Sequence, residues 1–239
     1  MSQSYALYIG GEWVKGEQPA QPNQNPSDLA DIIGYYDQAS AGQVALAINA
    51  AREGQKAWAE TGLETRYSVL MAIGNELIAR KDELGALLSR EEGKPLAEGK
   101  GEVYRSGQFF HYYAAEVLRQ IDDRVASVRP GVEVETRREP LGVVGVISPW
   151  NFPMATAVWK IAPALAFGNA VVFKPANLVP ASASALTEII SRQGMPPGTF
   201  NLINGSGSEA GEALITRHDV LTCPSSTIVG YRWGRANNP

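Results

Sequence analysis

The chain has 239 residues, 44% hydrophobic and 19% charged, a globular composition with room for one large domain or two small ones. Its 25 acidic and 21 basic residues leave a net charge of −4, which gives no electrostatic reason to bind nucleic acid or an anionic membrane. The first residues lack the basic stretch and apolar block of a secretory signal. The most apolar region, Leu141 to Phe173, is interrupted by Pro149, Pro153, Lys160 and Pro163, so no bilayer span is expected. One cysteine, Cys223, excludes an internal disulfide framework and a multi-cysteine metal site. The expectation is a soluble, cytoplasmic protein without a metal.

From the start, Tyr5 to Val14 alternates apolar and polar residues around Gly10-Gly11, the pattern of a hairpin. A stretch rich in Pro, Asn and Gln, Gln18 to Asp28, reads as a loop. Two helices follow, each with a predicted capping box, Ser40-Ala-Gly-Gln43 and Thr61-Gly-Leu-Glu64. Behind the first, Val44, Ala47, Ile48 and Ala51 recur at helical spacing; behind the second, Tyr67, Leu70, Ile73 and Leu77 do the same. Further helices are predicted over 81–92 and 96–120, separated by Gly93 and Pro95. Arg124 to Glu139 alternates around Pro130-Gly131 and reads as a second hairpin.

Beyond it the rhythm changes to short apolar runs, Val143–Ile147, Ala170–Phe173 and Phe200–Ile203, rich in Val, Ile and Phe. Helical stretches at 154–167 and 182–193 lie between them, closed by Gly168 and Gly194. Strand, helix, strand, helix, strand implies an α/β fold with a buried parallel sheet. Ligands of such sheets bind at the carboxyl ends of the strands. The residues after Ile147, Phe173 and Ile203 are therefore the candidates.

After the first run comes Ser148-Pro-Trp-Asn-Phe-Pro153. Pro153 suits a first helical turn, which would place Asn151 at a helix start among free N–H donors, either as a plain cap or as an amide that stabilises a developing oxyanion. After the second comes Lys174-Pro-Ala-Asn177, where Lys174 could donate to ribose hydroxyls or a 2′-phosphate, or simply be solvated. After the third, Gly205-Ser-Gly207-Ser-Glu-Ala-Gly211 opens a helix. Its glycines would let backbone approach a pyrophosphate, but the spacing is not the usual dinucleotide fingerprint. His111 and His218 show no metal or triad spacing, and Glu91, Glu92, Asp122 and Asp123 read as solvated helix ends.

Taken together and in this order, these segments resemble the NAD(P)-dependent aldehyde dehydrogenase family. Tyr8-Ile-Gly-Gly-Glu-Trp13, Glu91-Glu-Gly-Lys-Pro-Leu-Ala-Glu98 and Glu139 to Ser148 share that look, and the similarity runs from about Tyr5 to Asp219. The resemblance implies a Rossmann-like parallel sheet flanked by helices, with a projecting β-hairpin arm. A cofactor-binding domain would comprise 1–123 and 141–239, and 124–140 would be a bridging, oligomerisation hairpin. It implies oxyanion duty for Asn151, cofactor contacts from Ile147, Ser148, Pro149, Trp150, Lys174, Asn177, Gly207, Gly211 and Ser226, and an aldehyde substrate. Many NAD-preferring members carry Glu where this chain has Asn177, so NAD and NADP both stay open. Lys174-Pro-Ala-Asn177 leans toward the semialdehyde-oxidising branch. The family is homo-oligomeric, which the departures described next put in doubt for this chain.

The sequence departs from the family after Asp219. Cys223-Pro-Ser225 stands where Phe-Thr-Gly is usual, and Ser225-Ser226 replaces the Gly-Ser pair that meets the cofactor. By this register Cys223 answers to the Phe, not to the nucleophile. The family's nucleophilic cysteine and general-base glutamate would lie downstream, so the expectation is a truncated form with its catalytic domain missing, inactive alone. The alternatives are a non-catalytic nucleotide-binding or partner-binding remnant, or a reductase of another class, for which the strand ends offer no acid–base pair.

Overall fold

The computed structural model describes residues 4–119, 122–217 and 220–223, with 221–223 described by backbone alone. The chain opens with β1 (Ser4–Tyr5), β2 (Leu7–Ile9), β3 (Glu12–Val14), β4 (Gln18–Gln24) and β5 (Ile32–Gln38). Four helices follow, α1 (Ala41–Glu60), α2 (Leu63–Ala79), α3 (Lys81–Glu92) and α4 (Leu96–Val117). The hairpin of β6 (Asp123–Ala126) and β7 (Glu133–Thr136) leads into β8 (Val143–Ile147), α5 (Ala155–Ala166), β9 (Ala170–Lys174), α6 (Pro180–Ser191) and β10 (Phe200–Leu202). A π-turn, Gly207–Gly211, runs into α7 (Glu212–Ile215), and β11 (Val220–Cys223) closes the series.

The central sheet has the order β11-β8-β9-β10-β2-β3. Its first four strands are parallel; β2 joins antiparallel through Leu202 and Tyr8, and Gly10 and Gly11 turn the chain with positive φ of 64° and 94° into β3. From β8 the chain steps outward to β9 and β10, then returns to lay β11 on the other side of β8. This is the half-order of a doubly wound dinucleotide fold, with its switch point at β8. The β2–β3 hairpin covers the sheet beyond β10. Despite Pro224, β11 pairs with β8 over four residues, Val220 opposite Val143 to Cys223 opposite Val146.

Alternation along the strands divides the core in two. Val143, Ala170 and Val172 face Val44, Ala47, Ile48 and Ala51 of α1 and Leu214 of α7. Val144, Val146, Val171 and Phe173 face the other way, onto Ile161 and Leu165 of α5, Leu186 of α6 and the α2–α4 layer. Helices α2 and α4 cross at Gly74 and Gly107, where a Cβ on either would stand 2.8 Å from the other's carbonyl oxygen, so only glycine allows this approach.

Two local expectations change and others hold. Gln18–Gln24 is not a loop but β4, the edge strand of a small sheet ordered β1-β5-β4; Pro19 and Pro22 are tolerated because an edge strand need not donate outward. Ser40 does cap α1: its side chain accepts from the Gln43 N–H at 3.1 Å and Gln43 reaches back. The Thr61 box does not form; Thr61 Oγ1 donates back to the Ala57 carbonyl at 3.0 Å, and α2 starts at Gly62 with no side-chain cap. The β6–β7 hairpin stands apart as its own two-stranded sheet, exposed throughout, with Val125 opposite Val134. No described helix is long and apolar enough to cross a membrane.

Candidate functional site

The residues that follow β8, β9 and β10 stand at the carboxyl ends of neighbouring parallel strands. At the end of β8, Ser148 is buried and its N–H donates to the Lys174 carbonyl at 3.3 Å, while its Oγ has no partner among the described residues. Trp150, Asn151 and Phe152 are exposed beside it. A buried hydroxyl without a partner is hydrogen-bonding capacity held open, and the same holds for both side-chain polar atoms of Asn204, just past β10.

Asn151 does not sit where its sequence context predicted. Helix α5 begins at Ala155, and the N–H groups of Met154 and Ala155 both point at Glu102 Oε1, at 2.9 and 3.0 Å. The helix start therefore offers no free donors around Asn151, and Asn151 is not its cap. The loop is held instead through its backbone: the Asn151 carbonyl accepts from Lys94 Nζ at 3.0 Å.

Lys174, at the end of β9, is buried rather than solvated. Its Nζ donates to the Pro175 carbonyl at 2.6 Å and to Asn177 Oδ1 at 3.4 Å. Burial lowers its pKa to about 8, because an ammonium loses hydration there without gaining a carboxylate. Asn177 is exposed, on the rim of a polar cleft of about 350 Å³ shared with Gln18, Gln21 and Gln38 from the small sheet and Ser206 and Glu209 from the π-turn. Gly207 lies open, and a Cβ on Gly211 would meet Lys174 Cε at 3.6 Å, so the Gly211 backbone rests on the lysine stem. Thus Ile147 and Lys174 end their strands, and Ser148, Pro149, Trp150, Asn177, Gly207 and Gly211 lie on the loops and turns that follow the parallel strands. Ser226 lies outside the described residues.

Glu91 was expected at a solvated helix end. It is buried, and it caps α6 by accepting from the N–H groups of Ala181 and Ser182, at 2.5 and 2.9 Å, and from the Ser182 hydroxyl at 2.6 Å. Burial raises its pKa to about 7, with those hydrogen bonds offsetting part of the rise. Glu92 is likewise turned inward, toward Lys94. Asp122 and Asp123 flank the hairpin and are exposed, and His111 pairs with Asn75 at 2.9 Å. Glu102 was missed, although a signal existed: it shares a helical stripe with Gly99, Val103, Ser106 and Phe110, and a carboxylate on such a stripe needs a buried partner.

The sheet order and the polar groups at its strand ends define a doubly wound, Rossmann-like dinucleotide fold. A profile described as the aldehyde dehydrogenase family matches residues 13–234, and the chain belongs to that family. It is 40% identical to an alpha-ketoglutaric semialdehyde dehydrogenase of Bacillus subtilis (strain 168), over 98% of this chain and 48% of that protein. Among solved structures it superposes on 3,6-anhydro-L-galactose dehydrogenase in complex with NAP, with a TM-score of 0.86 and 30% identity over 92% of this chain and 46% of the other. A betaine aldehyde dehydrogenase from Staphylococcus aureus in complex with NAD+ gives 0.87 and 32% over 91% and 44%. The chain thus spans about half the length of the relatives it matches.

Proposed function

We propose that this chain provides the nicotinamide-nucleotide site and the oxyanion donor for oxidation of an aldehyde, in particular an oxo-acid semialdehyde, to its carboxylate. The observation that carries the reading is that buried Lys174 meets the Ser148 N–H through its carbonyl and the Gly211 backbone through its stem, at the carboxyl ends of the parallel strands. The donor set fits NAD or NADP: Lys174 Nζ toward the adenosine ribose, Gly207 and Gly211 beneath the pyrophosphate, and Ile147, Ser148, Pro149 and Trp150 along the nucleotide. When bound, the cofactor supplies a hydride acceptor.

The chain's own contribution to the chemistry is electrostatic. As the aldehyde carbon becomes tetrahedral, its oxygen gains charge, and the Asn151 side-chain amide donates a hydrogen bond to it. The nucleophile and the base are assigned to no residue of this chain. Asn177 places no carboxylate against a 2′-phosphate, which keeps NADP open alongside NAD. The names of the relatives support the semialdehyde class, and the projecting β6–β7 hairpin suits a role in pairing with a second subunit.

Titration calorimetry with NAD and NADP tests the reading. Lys174→Ala is expected to weaken both by about tenfold to a hundredfold, the value of hydrogen bonds from a charged donor. For NADP the loss of affinity should begin as pH rises through about 8, where Lys174 gives up its proton. Unchanged affinity in the variant would place the nucleotide elsewhere.

A further inference from the structure

The Phe152 carbonyl accepts from the N–H and hydroxyl of Thr156, at the start of α5 itself; from other elements, the side chains of Lys94 and Glu102 supply hydrogen bonds to 149–155. Glu102 is buried and Lys94 half-buried, with side chains 2% and 8% exposed. Each oxygen of Glu102 has its own task. Oε1 accepts from the N–H groups of Met154 and Ala155; Oε2 accepts from Lys94 Nζ at 2.7 Å. Lys94 in turn donates to the Asn151 carbonyl at 3.0 Å and lies 4.3 Å from the centre of the Phe152 ring. Glu92 Oε2 stands 2.8 Å from the same ammonium, as an ion contact off the hydrogen-bond axis. Burial alone would lower the Lys94 pKa, but the hydrogen bond to Glu102 and the nearby charges of Glu102 and Glu92 outweigh it and raise it.

A loop with Trp150, Asn151 and Phe152 all exposed has little packing of its own to fix it. We propose that Lys94 and Glu102 are positioning residues, an ionic clamp that grips the Asn151 loop from behind and sets where its side chain stands. The geometry supports this over a general stabilising pair. One carboxylate bridges the start of α5 to an ammonium, and that ammonium ends on the carbonyl of Asn151 itself. Losing Glu102 removes both N–H bonds at the start of α5 and one anchor of the ammonium that holds the Asn151 carbonyl. The role in ligand binding rests on the nucleotide reading above; the clamp itself does not.

The test uses the full chain with Glu102→Gln, Lys94→Met and Lys94→Arg. Hydrogen exchange read by mass spectrometry should show the segment 150–156 opening at least about tenfold faster in Glu102→Gln and Lys94→Met, with α2 and α4 unchanged and Lys94→Arg close to the parent. Calorimetry in the same variants should show NAD affinity falling about tenfold and ADP affinity holding, because ADP lacks the nicotinamide end that faces this loop. Equal exchange in all chains would overturn the clamp. A rise spread evenly over α2, α4 and the loop would also overturn it, in favour of plain structural support. If the unsubstituted chain binds no NAD, the nucleotide reading falls and exchange alone decides the clamp.

Discussion

Helices α5 and α6 each begin on a buried glutamate from the α3–α4 corner, yet only one of the two carboxylates has a cation. Glu102 caps α5 and meets Lys94; Glu91 caps α6 with three hydrogen bonds and no ion pair among the described residues. Both spend helix-start N–H groups that would otherwise draw an anion. The difference lies in how the buried charge is balanced. At α5 a neighbouring ammonium balances it; at α6 burial shifts the proton equilibrium instead, to about pH 7. The same structural task thus leaves one site dependent on its partner and the other dependent on pH.

The largest effect should come from breaking the balanced site. Glu102→Leu leaves two N–H groups unpaired and strands the Lys94 ammonium with Glu92 alone, a cost of about 3–5 kcal/mol. Urea unfolding would measure it. A loss under about 1 kcal/mol would mean that water or rearrangement replaces the carboxylate, and that the two caps do not differ as described.

Glu91 should reveal itself through pH. Its carboxyl is raised from 4.5 to about 7, so between those values the folded chain holds a proton that the unfolded chain has released. Stability therefore falls as pH rises from about 4.5 to about 7, and the contribution is complete only below the lower value. The shift corresponds to roughly 3 kcal/mol across the window. Glu91→Gln cannot titrate, so the difference in unfolding free energy between parent and variant should slope across this window and flatten above it. A difference independent of pH would show that Glu91 keeps its charge through the hydrogen bonds it accepts.

What was legible in the sequence was whatever is written locally. The apolar runs of β8, β9 and β10 and the glycines after α5 and α6 marked the sheet, and Pro149 to Pro153 follows the end of β8, although α5 starts later, at Ala155. The caps of α5 and α6 were not legible, because Glu102 and Met154 are 52 positions apart and Glu91 and Ala181 are 90 apart. Tertiary contact, not spacing, pairs them. Strand β4 hid for the opposite reason: its Gln, Pro and Asn residues look like a loop, and only pairing with β5 makes an edge strand of them.

The smallest prediction sharpens that lesson at α1 and α2, whose starts read alike in sequence. Ser40 and Thr61 both precede a Gln or Glu by three residues, but only Ser40 accepts the N–H its pattern implies. Thr61 is occupied as the last residue of the preceding turn: its hydroxyl is bonded to Ala57 and its N–H to the Trp58 carbonyl, so it ends α1 and cannot also begin α2. Ser40→Ala should cost about 1 kcal/mol. Thr61→Ala removes an exposed hydroxyl bond and should stay within about 0.5 kcal/mol. Side-by-side thermal melts separate the two, and equal losses would mean that Thr61 caps α2 after all.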